Sequence, residues 1–152
     1  MNNKGLRISD IKNDRCIPLS ELLMHIQNPD QLKWSLLWFD AIPIKDEGNF
    51  IYQLAEKANH SEQGFCCNFD LLLNISRKIF QEMEILIIGC KSEKSLHRYE
   101  KDERMYESCD IVIEMIDGGF WEIFSKNESL IGLLSKKYKM AEYLTSDFQD
   151  HL

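Results

Sequence analysis

A chain of 152 residues with 44% hydrophobic content has the size of one domain with a single core and is too short for two independent ones. Its formal charge of -7 opposes binding to nucleic acid or an anionic membrane, because a phosphate backbone rewards clustered Lys and Arg; a basic protein partner fits better. Five cysteines, with Cys66 and Cys67 adjacent and no C-x-x-C spacing, match neither a disulfide framework nor a zinc ribbon and point to reduced cytosolic thiols.

The opening residues, MNNKGLRISDIKNDR, contain no apolar run of the kind a secretory leader carries, and a short strand is expected around Leu6 to Ile11. Pro18 stands where helices begin, and Leu19, Leu22, Leu23 and Ile26 then share one face of a short amphipathic helix. Asn28-Pro29-Asp30 ends it. The stretch Leu32 to Ile42 alternates as a strand, with Leu32, Trp34, Leu36 and Trp38 together and Lys33, Ser35, Leu37 and Phe39 opposite. After a loop through Lys45 to Gly48, Asn49 is the expected N-cap of a helix burying Ile51, Leu54, Ala55 and Ala58 and stopping near Asn59 to Gly64. Asn68 caps the next, with Leu71, Leu72, Ile75 and Ile79 at helical spacing and Arg77 and Lys78 in its last turn. Glu84 to Gly89 is a continuous aliphatic run, the pattern of a strand buried on both faces; at this length it cannot cross a bilayer. A cytoplasmic chain without a membrane span is the expectation.

From Lys91 to Glu107 the composition turns to dense mixed charge, KSEKSLHRYEKDERMYE, which is expected to be exposed whatever its conformation. Next come two β-rich runs, Asp110 to Ile116 and Phe120 to Ser125, around Asp117-Gly118-Gly119, a hairpin signal in which glycine supplies positive φ. A two-residue turn puts Ile111, Ile113, Met115, Phe120, Glu122 and Phe124 on one face and Val112, Glu114, Ile116, Trp121, Ile123 and Ser125 on the other. Both faces are mostly apolar, so the hairpin belongs in a sheet covered on both sides. Ser125-Lys126-Asn127-Glu128 matches a capping box before a helix bearing Leu130, Leu133, Leu134 and Tyr138, and Met140 to Leu152 is a short helix or a frayed end. Together these elements predict one α/β or α+β domain over residues 1–152, a single-layer mixed sheet with a C-terminal antiparallel hairpin, flanked by helices.

The chemistry-bearing residues form no recognisable catalytic pattern. His25, His60, His97 and His151 are scattered without metal-ligand spacing and suit surface or capping roles; Cys66 and Cys67 read as small buried hydrophobes. No G-x-S-x-G or reactive-cysteine signature occurs, and the hairpin glycines are turn glycines, since a phosphate cradle needs a strand-to-helix turn. No cofactor, metal or catalytic residue is therefore assigned. Glu114 and Glu122 in apolar company suggest acid–base work, yet parity sets them on opposite faces, which argues for sheet margins or cationic partners instead. The charged segment is either a solvated stretch laced by local ion pairs or a recognition surface formed by Arg98, Tyr99, Glu100, Asp102, Glu103, Arg104, Tyr106 and Glu107, with Tyr99, Met105 and Tyr106 as anchors.

The succession FDLLLNISRKIFQEMEILIIGCK, followed by SCDIVIEMIDGGFWEIFSKNESLIGLLSKKY, resembles small immunity proteins encoded beside bacterial polymorphic toxins, including those of contact-dependent growth inhibition systems. The run Asp117, Gly118, Trp121, Glu122, Ile123, Ser125 and Lys126 before a helix carries the resemblance, over roughly the second half of the chain. Such a family implies a non-enzymatic cytoplasmic inhibitor that binds one toxin domain, often a nuclease. It transfers scaffold residues only, because binding surfaces diversify. A basic nuclease domain is the partner that an acidic inhibitor would attract. Two other classes stay open, a small enzyme using Glu114 or Glu122 and an adaptor for a non-toxin partner; oligomeric state is not fixed by the residues.

Overall fold

In chain order the computed structural model, which describes residues 4–144, contains β1 (Lys4–Ile8), β2 (Ile11–Lys12), β3 (Arg15–Cys16), α1 (Leu19–Leu23), β4 (Lys33–Pro43), α2 (Gly48–His60), β5 (Phe65–Cys67), α3 (Phe69–Ser76), β6 (Ile79–Cys90), α4 (Asp102–Ser108), β7 (Ile111–Ile116), β8 (Phe120–Ser125), α5 (Glu128–Lys137) and β9 (Glu142–Leu144). The fold is α+β: a seven-stranded open sheet in the order β5-β4-β6-β7-β8-β1-β9, plus the small β2–β3 hairpin. Every ladder is antiparallel, where a mixed sheet was expected, because the crossovers from β5 to β6 and from β8 to β9 each pass over one strand, β4 or β1, that lies between them and runs the opposite way. The C-terminal stretch also differs from expectation. Residues Glu142–Leu144 pair with β1 as an edge strand, and the rest of that predicted helix or frayed end lies outside the described residues.

Local signals place the helices well. Pro18 precedes α1, the α2 stripe is Ile51, Leu54 and Ala58, and the Asn68 side chain accepts the Leu71 N–H at 2.9 Å. Two caps fall elsewhere. Glu47, not Asn49, precedes α2, and Asn127, not Ser125, caps α5 by accepting the Leu130 N–H at 3.2 Å, because β8 continues through Ser125. Helix α3 ends at Ser76, one turn early, and Ile79 opens β6.

Buried faces of α1, α2, α3 and α5 pack with Trp34, Leu36, Phe39, Ile85, Ile87, Ile113, Trp121 and Ile123 on one side of the sheet, the helical face. Burying such side chains stabilises by about 1.5–3 kcal/mol each. The opposite, outer face holds a smaller core of Leu37, Ile88, Val112 and Phe124 under Leu96, Met105 and Tyr106.

Two register irregularities overturn the expected parities. Leu36 pairs with Ile87 but Trp38 pairs with Leu86, so Leu37 is the extra residue of a β-bulge. Leu37 joins the outer core, Phe39 joins Trp34 and Leu36 on the helical face, and Trp38 emerges on the outer face, 45% exposed. In the hairpin, Asp117 and Gly118 take positive φ (51° and 65°) and the Gly119 N–H donates to Ile116 O at 2.9 Å, as in a type I′ turn. Ile116 nevertheless pairs with Phe120, so the loop holds three residues rather than two. That single extra residue inverts β8 relative to β7: Trp121 and Ile123 share the helical face with Ile113 and Met115, while Glu122 and Phe124 share the outer face with Glu114 and Val112.

Candidate functional site

Antiparallel pairing arranges the outer face in transverse rows. One row, Ile88, Val112, Phe124, Gly5 and Leu144, is apolar. The next runs Trp38, Leu86, Glu114, Glu122, Arg7 and Glu142 across six strands. A third contains the pairs Asp40 with Glu84 and Ile116 with Phe120. The face thus changes from hydrocarbon to acid within two rows.

The charged segment covers only the apolar end. Leu96, Met105 and Tyr106 are buried in it, and the Tyr106 ring stacks on Phe124 with centroids 3.9 Å apart. Exposure of the whole stretch and the use of Met105 and Tyr106 as surface anchors are therefore corrected: Tyr106 is 3% exposed. Met105 and Tyr106 form the inner side of α4 and Leu96 packs from the turn before it, contacts that dense flanking charge obscured. Tyr99 is half-buried, its hydroxyl donating to Ser95 O at 2.6 Å and its ring against His97 at 4.1 Å. Arg98 is a strap. Its guanidinium donates to Ser61 O at 3.0 Å and to Leu37 O and Ala58 O, and its own N–H donates to Glu62 O at 3.1 Å, tying the segment to the C-terminal end of α2 and to β4.

Of the predicted contact residues, Glu100, Asp102, Glu103, Arg104 and Glu107 remain exposed, four acids to one Arg, beside the exposed Lys91, Lys94 and Lys101 of the same segment. The alternative of a stretch laced by local ion pairs is not found: among the described residues none of these five takes part in a salt bridge. The acidic edge of α4 meets the acidic rows of the sheet, where Asp102 acts on Glu114.

Glu114 and Glu122, expected on opposite faces, stand directly across from each other on the outer face. Arg7 resolves half of that conflict, its Nε and Nη2 donating to Glu122 Oε2 at 2.9 and 2.5 Å and its guanidinium lying 4.4 Å from the Phe120 centroid. The Glu114 side chain has no hydrogen bond or salt bridge among the described residues. Burial first, then the charges of Asp102, Glu122 and Glu84, push its carboxyl up to about 7. Glu84 is also raised, chiefly through its hydrogen bond with the Asp117 side chain, then by burial and by the charges of Asp117 and Asp40.

The remaining candidates are engaged elsewhere. His25 contacts Tyr138 Oη at 3.3 Å, His60 lies 3.5 Å from Glu56, and His97 bonds Arg98 O at 2.9 Å; His151 lies outside the described residues. Cys66, read as buried, is exposed on the three-residue edge strand β5, whereas Cys67 packs against the core and burial pushes its thiol up to about 12. Cavities of about 440, 270 and 400 Å³ lie beside β5, at the start of α5 and beside β3, and none of these includes Glu114 or Glu122. Among the described residues no group of three or more His, Cys, Asp or Glu is placed to hold a metal ion, and no helix is long and apolar enough to cross a membrane.

Trp38, Asp40, Glu84 and Arg7 went unrecognised in the sequence. Their signal was weak but present: Glu84 leads an aliphatic run, and a D-G-G loop admits three-residue as well as two-residue pairing. No family model matches the chain, and no curated protein or solved structure is significantly similar to it.

Proposed function

We propose that this chain is a stoichiometric inhibitor, an immunity protein that binds and neutralises a bacterial toxin domain in the cytoplasm, with a basic nuclease domain as partner. The observation that carries the reading is the edge formed by α4 and Glu100 just before it, where Glu100, Asp102, Glu103 and Glu107 outnumber the exposed Lys101 and Arg104 and are free of salt bridges among the described residues. Such a surface competes for the Lys and Arg groups with which a nuclease holds phosphate, and it speeds encounter at low salt. The resemblance of the second half of the chain to toxin immunity proteins supports the same class. Inhibition then proceeds by covering the active site or an adjacent site, without chemistry by the chain itself. Co-expression with the C-terminal domain of a toxin encoded immediately upstream should rescue growth, and the purified pair should elute as a one-to-one complex. Absence of both rescue and complex would turn the assignment to an adaptor for another partner.

The β7–β8 register favours a second reading, a small acid–base enzyme, because it brings Glu114 opposite a carboxylate held by Arg7. Hydrolytic turnover by the purified protein that is lost in Glu114→Gln supports it. An inert chain that titrates the toxin domain one to one excludes it.

A further inference from the structure

The α4 edge does not account for the uncovered end of the sheet beside it. Trp38 reaches this surface only because of the Leu37 bulge, and it stands in one row with Leu86, Glu114, Glu122 and Arg7. At one end of that row, with Phe120 from the next row, the chain already contains one complete cation site. Arg7 pairs with Glu122 while its guanidinium covers the Phe120 ring at 4.4 Å. At the other end of the row the same parts recur without the cation: an exposed indole, Trp38, the aliphatic Leu86, and the carboxylate of Glu114.

The groups acting on Glu114 are acidic on every side. Glu84 comes from β6, Glu122 from β8 and Asp102 from α4, which also supplies Tyr106, itself under the influence of Glu114; Arg7, from β1, is committed to Glu122. Like charges opposite each other in a ladder disfavour the folded chain, and a cation arriving from outside relieves them. A second copy of this chain brings the same negative charge and is repelled, and nucleic acid is repelled for the same reason.

We propose that the open end of the outer face receives a basic protein segment, an arginine or lysine of the partner seating against Glu114 with its stem over Trp38 and Leu86. This deepens the inhibitor reading and rests on it for the partner's identity. The chemistry rests on the surface alone.

The test is an NMR titration of the full chain with a nona-arginine peptide, alongside binding of the toxin domain by the same variants. Amide and indole shifts are expected to concentrate at Trp38, Leu86, Glu114, Ile116 and Phe120. Glu114→Gln should weaken peptide binding about tenfold, the loss of one charge-assisted contact, and Trp38→Ala about threefold. Glu128→Gln, a remote surface carboxylate paired with Lys4, should leave binding unchanged. Trp38 is exposed and Glu114 half-buried, and Glu84→Gln repeats the test if either variant is misfolded by circular dichroism. Shifts confined to the α4 edge or spread over all acidic residues overturn the proposal, as does a dimer that Trp38→Ala dissolves. If wild type binds the toxin domain and Glu114→Gln and Trp38→Ala bind it equally well, the docking surface is wrong and the inhibitor reading stands. If the peptide docks at these residues and the toxin domain does not bind, the reading fails and the surface stands.

Discussion

Glu114 and Glu122 face each other across the β7–β8 ladder, and Arg7 from β1 neutralises only the second. The unpaired member is held against its own ionisation by burial and by acidic neighbours. A carboxyl raised in the folded chain from the usual 4.5 to about 7 binds its proton more tightly when folded than when unfolded. Its stabilising contribution is therefore complete below pH 4.5 and is lost as pH rises to about 7. Glu114→Gln removes the titration. In urea melts across that window, wild type should lose on the order of 1–3 kcal/mol relative to the variant. Parallel curves would show that Glu114 ionises freely.

Arg98, a strap rather than a contact residue, closes the carbonyls of Ala58 and Ser61 at the end of α2 and that of Leu37 at the bulge. Arg98→Ala leaves these acceptors to compete for water and should cost about 3 kcal/mol in chemical denaturation, with Arg98→Lys recovering part. Partner affinity of the folded variant should stay within about twofold of wild type.

Beyond β5, the free edge of β4 is blunted by Asn59, whose side-chain oxygen accepts the Phe39 N–H at 2.7 Å and whose amide donates to Phe39 O at 3.0 Å. This copies a neighbouring strand with one side chain. Asn59→Ala should lower stability by about 1–2 kcal/mol and produce concentration-dependent association visible by light scattering.

Trp121 is fully buried on the helical face and donates its indole N–H to Ile17 O at 2.8 Å. Trp121→Ala should cost about 3–5 kcal/mol, read as a lower urea midpoint, and reduce partner binding only as the fold is lost.

Charge reversal of Asp102 and Glu103 removes acid from the exposed edge of α4 without touching the core beneath it. Toxin-domain affinity should fall on the order of tenfold, with the deficit shrinking as salt screens the interaction. Unchanged affinity in surface plasmon resonance would take this edge out of the interface.

How much of this was legible depends on the range of the interaction. Helix stripes such as Ile51, Leu54 and Ala58, the Asn68 cap and the β6 aliphatic run depend on neighbours within a turn or two, and they were read correctly. The composition of the Lys91 to Glu107 segment likewise announced charge, yet it concealed that Tyr106 stacks on Phe124 and that Arg98 binds carbonyls up to 61 residues away.

The sequence by itself determined the long strands β4, β6, β7 and β8 and the helices α1, α2, α3 and α5, though not the short strands β2, β3, β5 and β9 or helix α4; it also determined that the Asp117-Gly118-Gly119 stretch reverses the chain and that the molecule carries excess acid. Only the tertiary structure decided which side chains share a face. Strand parity has a period of two, so one extra loop residue at Gly119 and one bulged residue at Leu37 exchange inside for outside along the strand residues that follow each of them. The cation that makes Glu122 tolerable arrives from Arg7, 115 residues earlier in the chain, and no local pattern records that pairing.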